Sequence, residues 1–257
     1  MGLPMSMGGS KGHRGQCGRP WDGRCGSARG TGFTLVELLV VVAILGILAG
    51  MLLPALGKAK DRAIRVTDIN NLKQLSMALH LYASDHADLL PWANWKRGDH
   101  PERAGWLYRW NPQAAGPAQF RVETGVFWPI LQQSKLYMCP RDGPQVPRFA
   151  ERAQQSSSYV MNGAVVGYNR TNWPALKLGA FRPEDIVFWE TDERYPEYFN
   201  DGASYPREGV SARHTQGAIH ATFGGAVSYI PLARWYLMEA QERRNPLWCY
   251  PFSEDGR

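Results

Sequence analysis

Gly32-Phe33-Thr34-Leu35-Val36-Glu37 opens the stretch that decides the fold, because the run LLVVVAILGILAGMLL follows it from Leu38 to Leu53. Those sixteen residues contain no charge and no strongly polar side chain. Taken from Phe33 to Leu56, a helix of 24 residues spans about 36 Å at a rise of ~1.5 Å per residue. It can cross a hydrocarbon core ~30 Å thick with some tilt. Only Glu37 breaks its apolar character. A secretory signal would offer an apolar region of ~7–15 residues followed by a small-residue cleavage site. Here a basic, glycine-rich segment precedes the apolar run and meets it at Gly32-Phe33.

The hexapeptide from Gly32 to Glu37 resembles the processing site of type IV prepilins and of the pseudopilins of type II secretion. The resemblance implies cleavage after Gly32 by a prepilin peptidase and N-methylation of Phe33. It implies that the apolar helices of many pilin or pseudopilin subunits assemble into a filament on an inner-membrane platform. It also implies a structural protein rather than an enzyme, with one pass through the cytoplasmic membrane and its head in the periplasm or outside the cell. The fold expected is α+β: a long N-terminal helix whose outer half packs on a C-terminal antiparallel sheet. Glu37 fits this picture physically. A carboxylate inside a spanning helix costs on the order of 2.5–3.5 kcal/mol at the bilayer centre and less toward the interface. In the family the implied partner is the α-amine of a neighbouring subunit, which cleavage would create. The residue by itself also reads as an acid at the membrane edge, reaching headgroups and favoured by the helix dipole.

Four segments follow: a basic leader over 1–32, a membrane and filament-core helix over 33–56, an amphipathic continuation over 57–84, and an α+β head over 85–257. The formal charge of +6 is concentrated in the first segment, where Lys11, Arg14, Arg19, Arg24 and Arg29 face only Asp22. The remainder carries +2, so the overall basicity is poor evidence for a nucleic-acid partner. The leader is long for the family, and Met5 or Met7 is an alternative start to Met1. Lys58, Lys60, Arg62 and Arg65 flank the far end of the apolar run, so the positive-inside rule alone is nearly balanced and topology rests on the resemblance.

Within the apolar run, Gly46 and Gly50 form a small-xxx-small pair that lets another helix approach. Pro54 removes a helical hydrogen bond and is expected to bend the rod. Beyond it Ile69, Leu72, Leu75, Leu79 and Tyr82 recur at helical intervals opposite a charged face, which requires a cover. Asn70-Asn71-Leu72-Lys73-Gln74-Leu75 resembles a stretch common in large pseudopilin-like proteins, many of which carry a cysteine just before it. Thr67 and Asp68 stand there instead. Tyr137-Met138-Cys139-Pro140-Arg141-Asp142 resembles the Cys-Pro-Ser-Asp turn of the same relatives, with Arg141 in place of serine. The resemblance therefore leaves Cys139 without its customary partner. Cys249 is the remaining candidate for a disulfide in an oxidising compartment, since Cys17 and Cys25 lie in the leader.

The head is expected to begin with aromatic-pinned loops over 85–116, with one short strand at Trp106–Trp110, and to place a short helix at Val126–Leu131. Strands are expected at Ser158–Met161, Ala164–Tyr168 and Ile186–Thr191. A hairpin from Gly217–Phe223 to Ala226–Leu232 turns on Gly224-Gly225, and a helix over Ala233–Arg244 closes the fold. His214 followed by Gly224-Gly225 resembles the His-x9-Asp-Gly tail motif of these proteins, with glycine replacing the aspartate. The loss of that carboxylate favours a structural hairpin. Asp185, Glu190, Asp192 and Glu193 read as a solvated acidic edge.

No metal is expected: His80, His86, His100, His214 and His220 show no close ligand spacing with each other or with cysteine. Calcium is left open at Asp85, Asp88 and Asp99, although no calcium-loop spacing is present. No nucleophile elbow or phosphate loop points to catalysis. The competing reading is a membrane-anchored exported domain, outside any filament, that binds DNA or a glycan.

Overall fold

The computed structural model describes residues 32–95, 103–169 and 175–257. It divides into two units, Met1–Met51 and Leu52–Arg257. Helix α1, Leu35–Asp85, runs from one into the other and continues through Pro54. In the first unit its apolar side chains are exposed throughout, for example Leu39 at 60% and Leu45 at 59%. Its most apolar stretch has a mean hydropathy of 2.8 and is long enough to cross a membrane.

In the second unit the same helix becomes one-sided. Asp68, Asn71, Leu72, Leu75, Ser76, Ala78, Leu79 and Ala83 are buried, with Ile69 and Tyr82 packed partly against the same core. Lys73, Gln74 and Met77 between them stay exposed. The helix ends where Ala87 and Asp88 take φ of 54° and 69°, and the Asp88 N–H closes back on the Ala83 carbonyl at 2.8 Å.

The buried face of α1 belongs to the core of the head. Five strands form one sheet in the order β3-β1-β2-β4-β5: β1 Tyr159–Asn162, β2 Ile186–Glu190, β3 Ala203–Ser204, β4 Gly217–Thr222 and β5 Val227–Pro231. The four strands β1, β2, β4 and β5 pair antiparallel as expected. The two-residue β3 adds to β1 in parallel, which makes the sheet mixed. Beneath it Trp106, Phe127, Tyr137 and Phe188 meet in aromatic contacts, with Trp106 donating its Nε1–H to the Gly202 carbonyl at 2.8 Å. A second cluster is built on Trp189 and Trp235. Tryptophan here closes loops over a core, as large rings with one polar handle do.

The expected short helix appears as α2, Trp128–Leu131, and the closing helix as α3, Leu232–Glu239, shorter than the pattern suggests. Two strand expectations give way. Trp106–Trp110 makes one isolated bridge, Arg109 with Ala104, because the Asn94 side chain accepts from the Leu107 N–H and donates to the Tyr108 carbonyl in place of a neighbouring strand. Ala164–Tyr168 is a 3-10 turn, in which Asn162 Oδ1 caps the Ala164 N–H and Gly167 and Tyr168 take φ of 57° and 52°. The β4–β5 turn spans Phe223–Ala226, closed by the Thr222 N–H on the Ala226 carbonyl at 2.9 Å, and of its two glycines only Gly225 has positive φ, at 86°. Gly224 is held for another reason: a side chain there would meet the Pro183 backbone.

Candidate functional site

Two places in the described chain concentrate chemistry. The first is the start of α1. Thr34 and Glu37 form a capping box: the Glu37 N–H reaches Thr34 Oγ1 at 3.2 Å, and Glu37 Oε2 accepts from the Thr34 N–H at 2.9 Å and its hydroxyl at 2.7 Å. This satisfies N–H groups that a helix start leaves without partners. The Thr-x-x-Glu spacing was present in the sequence and carries this signal. Gly32, Phe33 and Glu37 are all exposed. Gly46 and Gly50 have open space where a side chain would stand, so neither packs within the chain.

The second place lies inside the head. Four elements deliver one side chain each: Asp68 from α1, Cys139 from the turn after residues 134–137, Glu190 from the end of β2, and His214 from the loop before β4. All four are buried, and their reactive atoms lie within 4.8 Å of one another. His214 Nε2 is the hub, at 3.2 Å from Asp68 Oδ2, 3.3 Å from Glu190 Oε1 and 3.5 Å from Cys139 Sγ. Each carboxylate spends its other oxygen on a fixed donor. Tyr159 donates its hydroxyl to Asp68 Oδ1, and the Ile219 N–H reaches Glu190 Oε2 at 2.7 Å.

A charged ring surrounds this hub. Arg213 lies 3.6 Å from Glu190 Oε1, 3.1 Å from Asp142 and 3.4 Å from Glu193, and Arg152 holds Asp142 at 2.9 Å. Burial opposes a charge on Asp142, yet Arg213 and Arg152 keep its pKa below the usual range. Burial likewise opposes protonation of His214, but Asp68 and Glu190 outweigh it and lift its pKa to about 9. Burial and the negative Glu190 raise Asp68, while Glu190, against burial, is lowered by His214 and Arg213. Burial, Glu190 and Asp68 push the Cys139 thiol up.

Several readings from sequence change here. Asp185, Glu190 and Asp192 are buried rather than a solvated edge, each matched to an arginine: Arg244, Arg213 and Arg194. Cys139 and Cys249 are both free and buried. Cys139 faces His214, whereas Cys249 accepts from Asn162 Nδ2 at 3.4 Å, so the bridge considered between them is not made. His214 belongs to the cluster, not merely to a hairpin motif, and Asp68 occupies the place beside Cys139. Arg141 pairs with Asp61 on α1. The other histidines disperse: His86 stacks on Tyr82, His80 lies beside Gly225, and His220 approaches Ser228. His100 and Asp99 lie outside the described residues, as does the leader. Asp88 accepts from the Gly179 N–H at 3.0 Å.

Taken together, an apolar anchor helix that turns one-sided and covers a small sheet is the pilin type of α+β architecture, and it fits a single-pass membrane-anchored protein. Residues 28–53 match the family model described as the prokaryotic N-terminal methylation motif. The chain is 39% identical over 70 residues to type II secretion system core protein G of Pectobacterium carotovorum subsp. carotovorum, covering 27% of this chain and 44% of the relative. It is 42% identical over 57 residues to the protein of the same name from Vibrio cholerae, covering 22% and 39%. To type IV major pilin protein PilA of Myxococcus xanthus it is 38% identical over 94 residues, covering 36% and 42%. The N-terminal part of the chain accordingly resembles that of prepilin-like proteins of the pseudopilin and type IV pilin class. It spans less than half the length of the curated relatives it matches. No solved structure matches it.

Proposed function

We propose that this chain is a structural pseudopilin-type subunit, processed after Gly32, N-methylated at Phe33 and packed through its apolar helix against neighbouring subunits. The observation that carries this is the apolar half of α1, none of which is buried within the chain although it is the most hydrophobic stretch in it. Such a surface requires lipid, other helices, or both. Gly46 and Gly50 supply a face on which a second helix can approach. Prepilin peptidase and an assembly platform are the further partners this reading needs, with the head on the outer side of the cytoplasmic membrane.

Glu37 has two successive roles in this account. In the unprocessed chain it caps α1 through Thr34. In the processed chain a free amine on Phe33 offers the same carboxylate a cationic partner, from its own or an adjacent subunit, which lowers the cost of keeping the acid in the membrane. The test is assembly in a host that supplies a peptidase and platform. Leu45→Cys should give a ladder of oxidatively cross-linked subunits, and adding Glu37→Ala should leave processing intact while weakening the ladder. An undiminished ladder would remove the role given to Glu37, and no ladder in either chain would remove filament packing.

A further inference from the structure

We propose that Asp68, Cys139, Glu190 and His214 form a four-ligand site for a divalent metal of the zinc class, which clips α1 to the sheet of the head. The donor set selects the ion. A thiolate and an imidazole with two carboxylate oxygens suit zinc, and thiolate disfavours hard cations such as calcium or magnesium. Tetrahedral zinc with bonds of ~2.0–2.3 Å sets its ligand atoms ~3.3–3.8 Å apart. The three separations from His214 Nε2, at 3.2, 3.3 and 3.5 Å, lie close to that edge length.

The protein-only hydrogen bonding of this cluster is deficient in the way a metal would repair. Two carboxylate oxygens and a sulfur converge on one imidazole nitrogen, which has at most one proton to donate. Asp68 Oδ2 and Glu190 Oε1 are buried without a well-formed hydrogen bond. Buried polar atoms left so are uncommon and costly. Both are aimed at the centre of the cluster, while the second oxygen of each carboxylate is already engaged by Tyr159 or Ile219. Those contacts are the outer-shell restraints that hold a monodentate carboxylate in place. Charge also closes: two carboxylates and a thiolate around a dication leave one negative charge, which Arg213 faces from 3.6 Å. A cleft of about 830 Å3 lined by Thr67, Asn71, Met138, Cys139 and Asp142 gives an approach from the Cys139 side.

The inference is independent of filament assembly, because all four ligands belong to the second unit. The experiment is metal analysis of the full chain purified in detergent without chelator, then after exposure to zinc and dialysis. About one zinc per chain is expected, lost in Cys139→Ser and His214→Ala. Cobalt loading should give the thiolate-to-metal charge-transfer absorption and the visible bands of a tetrahedral site. Since either variant could fold poorly, Asp68→Cys provides a second arm. It adds a stronger zinc ligand at the same place and should raise affinity at least tenfold and intensify the charge-transfer band. If the wild-type chain and Asp68→Cys both remain metal-free and bind no cobalt, the cluster is a charged imidazole held between carboxylates and the proposal is overturned. Zinc retained undiminished by folded Cys139→Ser and His214→Ala would place the ion elsewhere and overturn it equally.

Discussion

Between Leu35 and Met51 the chain leaves its apolar side chains exposed, whereas between Leu52 and Arg257 it buries carboxylates and arginines together with its core. The difference is one of solvent. An apolar segment that meets lipid or other helices has no need of an internal partner, so every residue can point outward. A head that meets water must cover its apolar face, and any charge taken inside must bring a countercharge with it. Helix α1 passes from one regime to the other without a break, and the change shows in what it buries: no side chain before Ile64, then a stripe from Asp68 to Ala83.

The sharpest way to break this contrast is to remove a charge from the head. Arg213→Ala would leave Asp142 and Glu190 buried with one cation fewer, and the expected cost is about 3–5 kcal/mol, read by denaturant unfolding of the detergent-solubilised chain. A loss below about 1 kcal/mol would mean that those carboxylates are satisfied without it. Next comes the same truncation made in both regions. Leu75→Ala, fully buried, should cost about 2–5 kcal/mol, while Leu45→Ala, at 59% exposure, should leave the unfolding midpoint of the head unchanged. Equal effects would erase the distinction between the two halves of α1.

Smaller effects sharpen it. Thr34→Ala removes the capping box and should destabilise the first turn of α1 by about 1 kcal/mol. Faster amide exchange confined to residues 35–38 is the expected reading, with no change in the head. His220 gives a pH signature within the second unit. Its half-buried ring is held neutral by burial and by Arg234, which lowers its pKa from 6.5 to about 4. The unfolded chain therefore binds more protons than the folded one in that window, and stability falls as pH drops from about 6.5 toward 4. His220→Gln should lessen that loss by about 1 kcal/mol, measured as the difference between the acid-unfolding curves of the two proteins.

The two regions also differed in how far the sequence could be read. The anchor helix was plain because its signal is local: composition, length and a junction of six residues. Its amphipathic continuation was equally plain from the spacing of Leu72, Leu75 and Leu79. The β4–β5 hairpin was found from Gly224-Gly225, even though only Gly225 needs its left-handed backbone. The buried cluster had no such signal. Cys139 and His214 are 75 residues apart, and the ligand-like set forms only after four separate elements fold together. Burial of Asp185 and Glu190 is equally hidden in the sequence, since Arg244 and Arg213 lie far along the chain from the carboxylates they neutralise, whereas Arg194 stands two residues from Asp192. Ala164–Tyr168 failed as a strand because the Asn162 side chain supplied a local hydrogen bond that composition does not reveal.

Under the proposed function, cutting the chain after Gly32 frees the edge of the apolar helix. Mass spectrometry of the protein recovered from a host with prepilin peptidase addresses it directly. The expected product begins at N-methylated Phe33, with residues 1–32 removed. A recovered chain that still carries Arg29, Arg24 and Arg19 ahead of Gly32 would contradict the account.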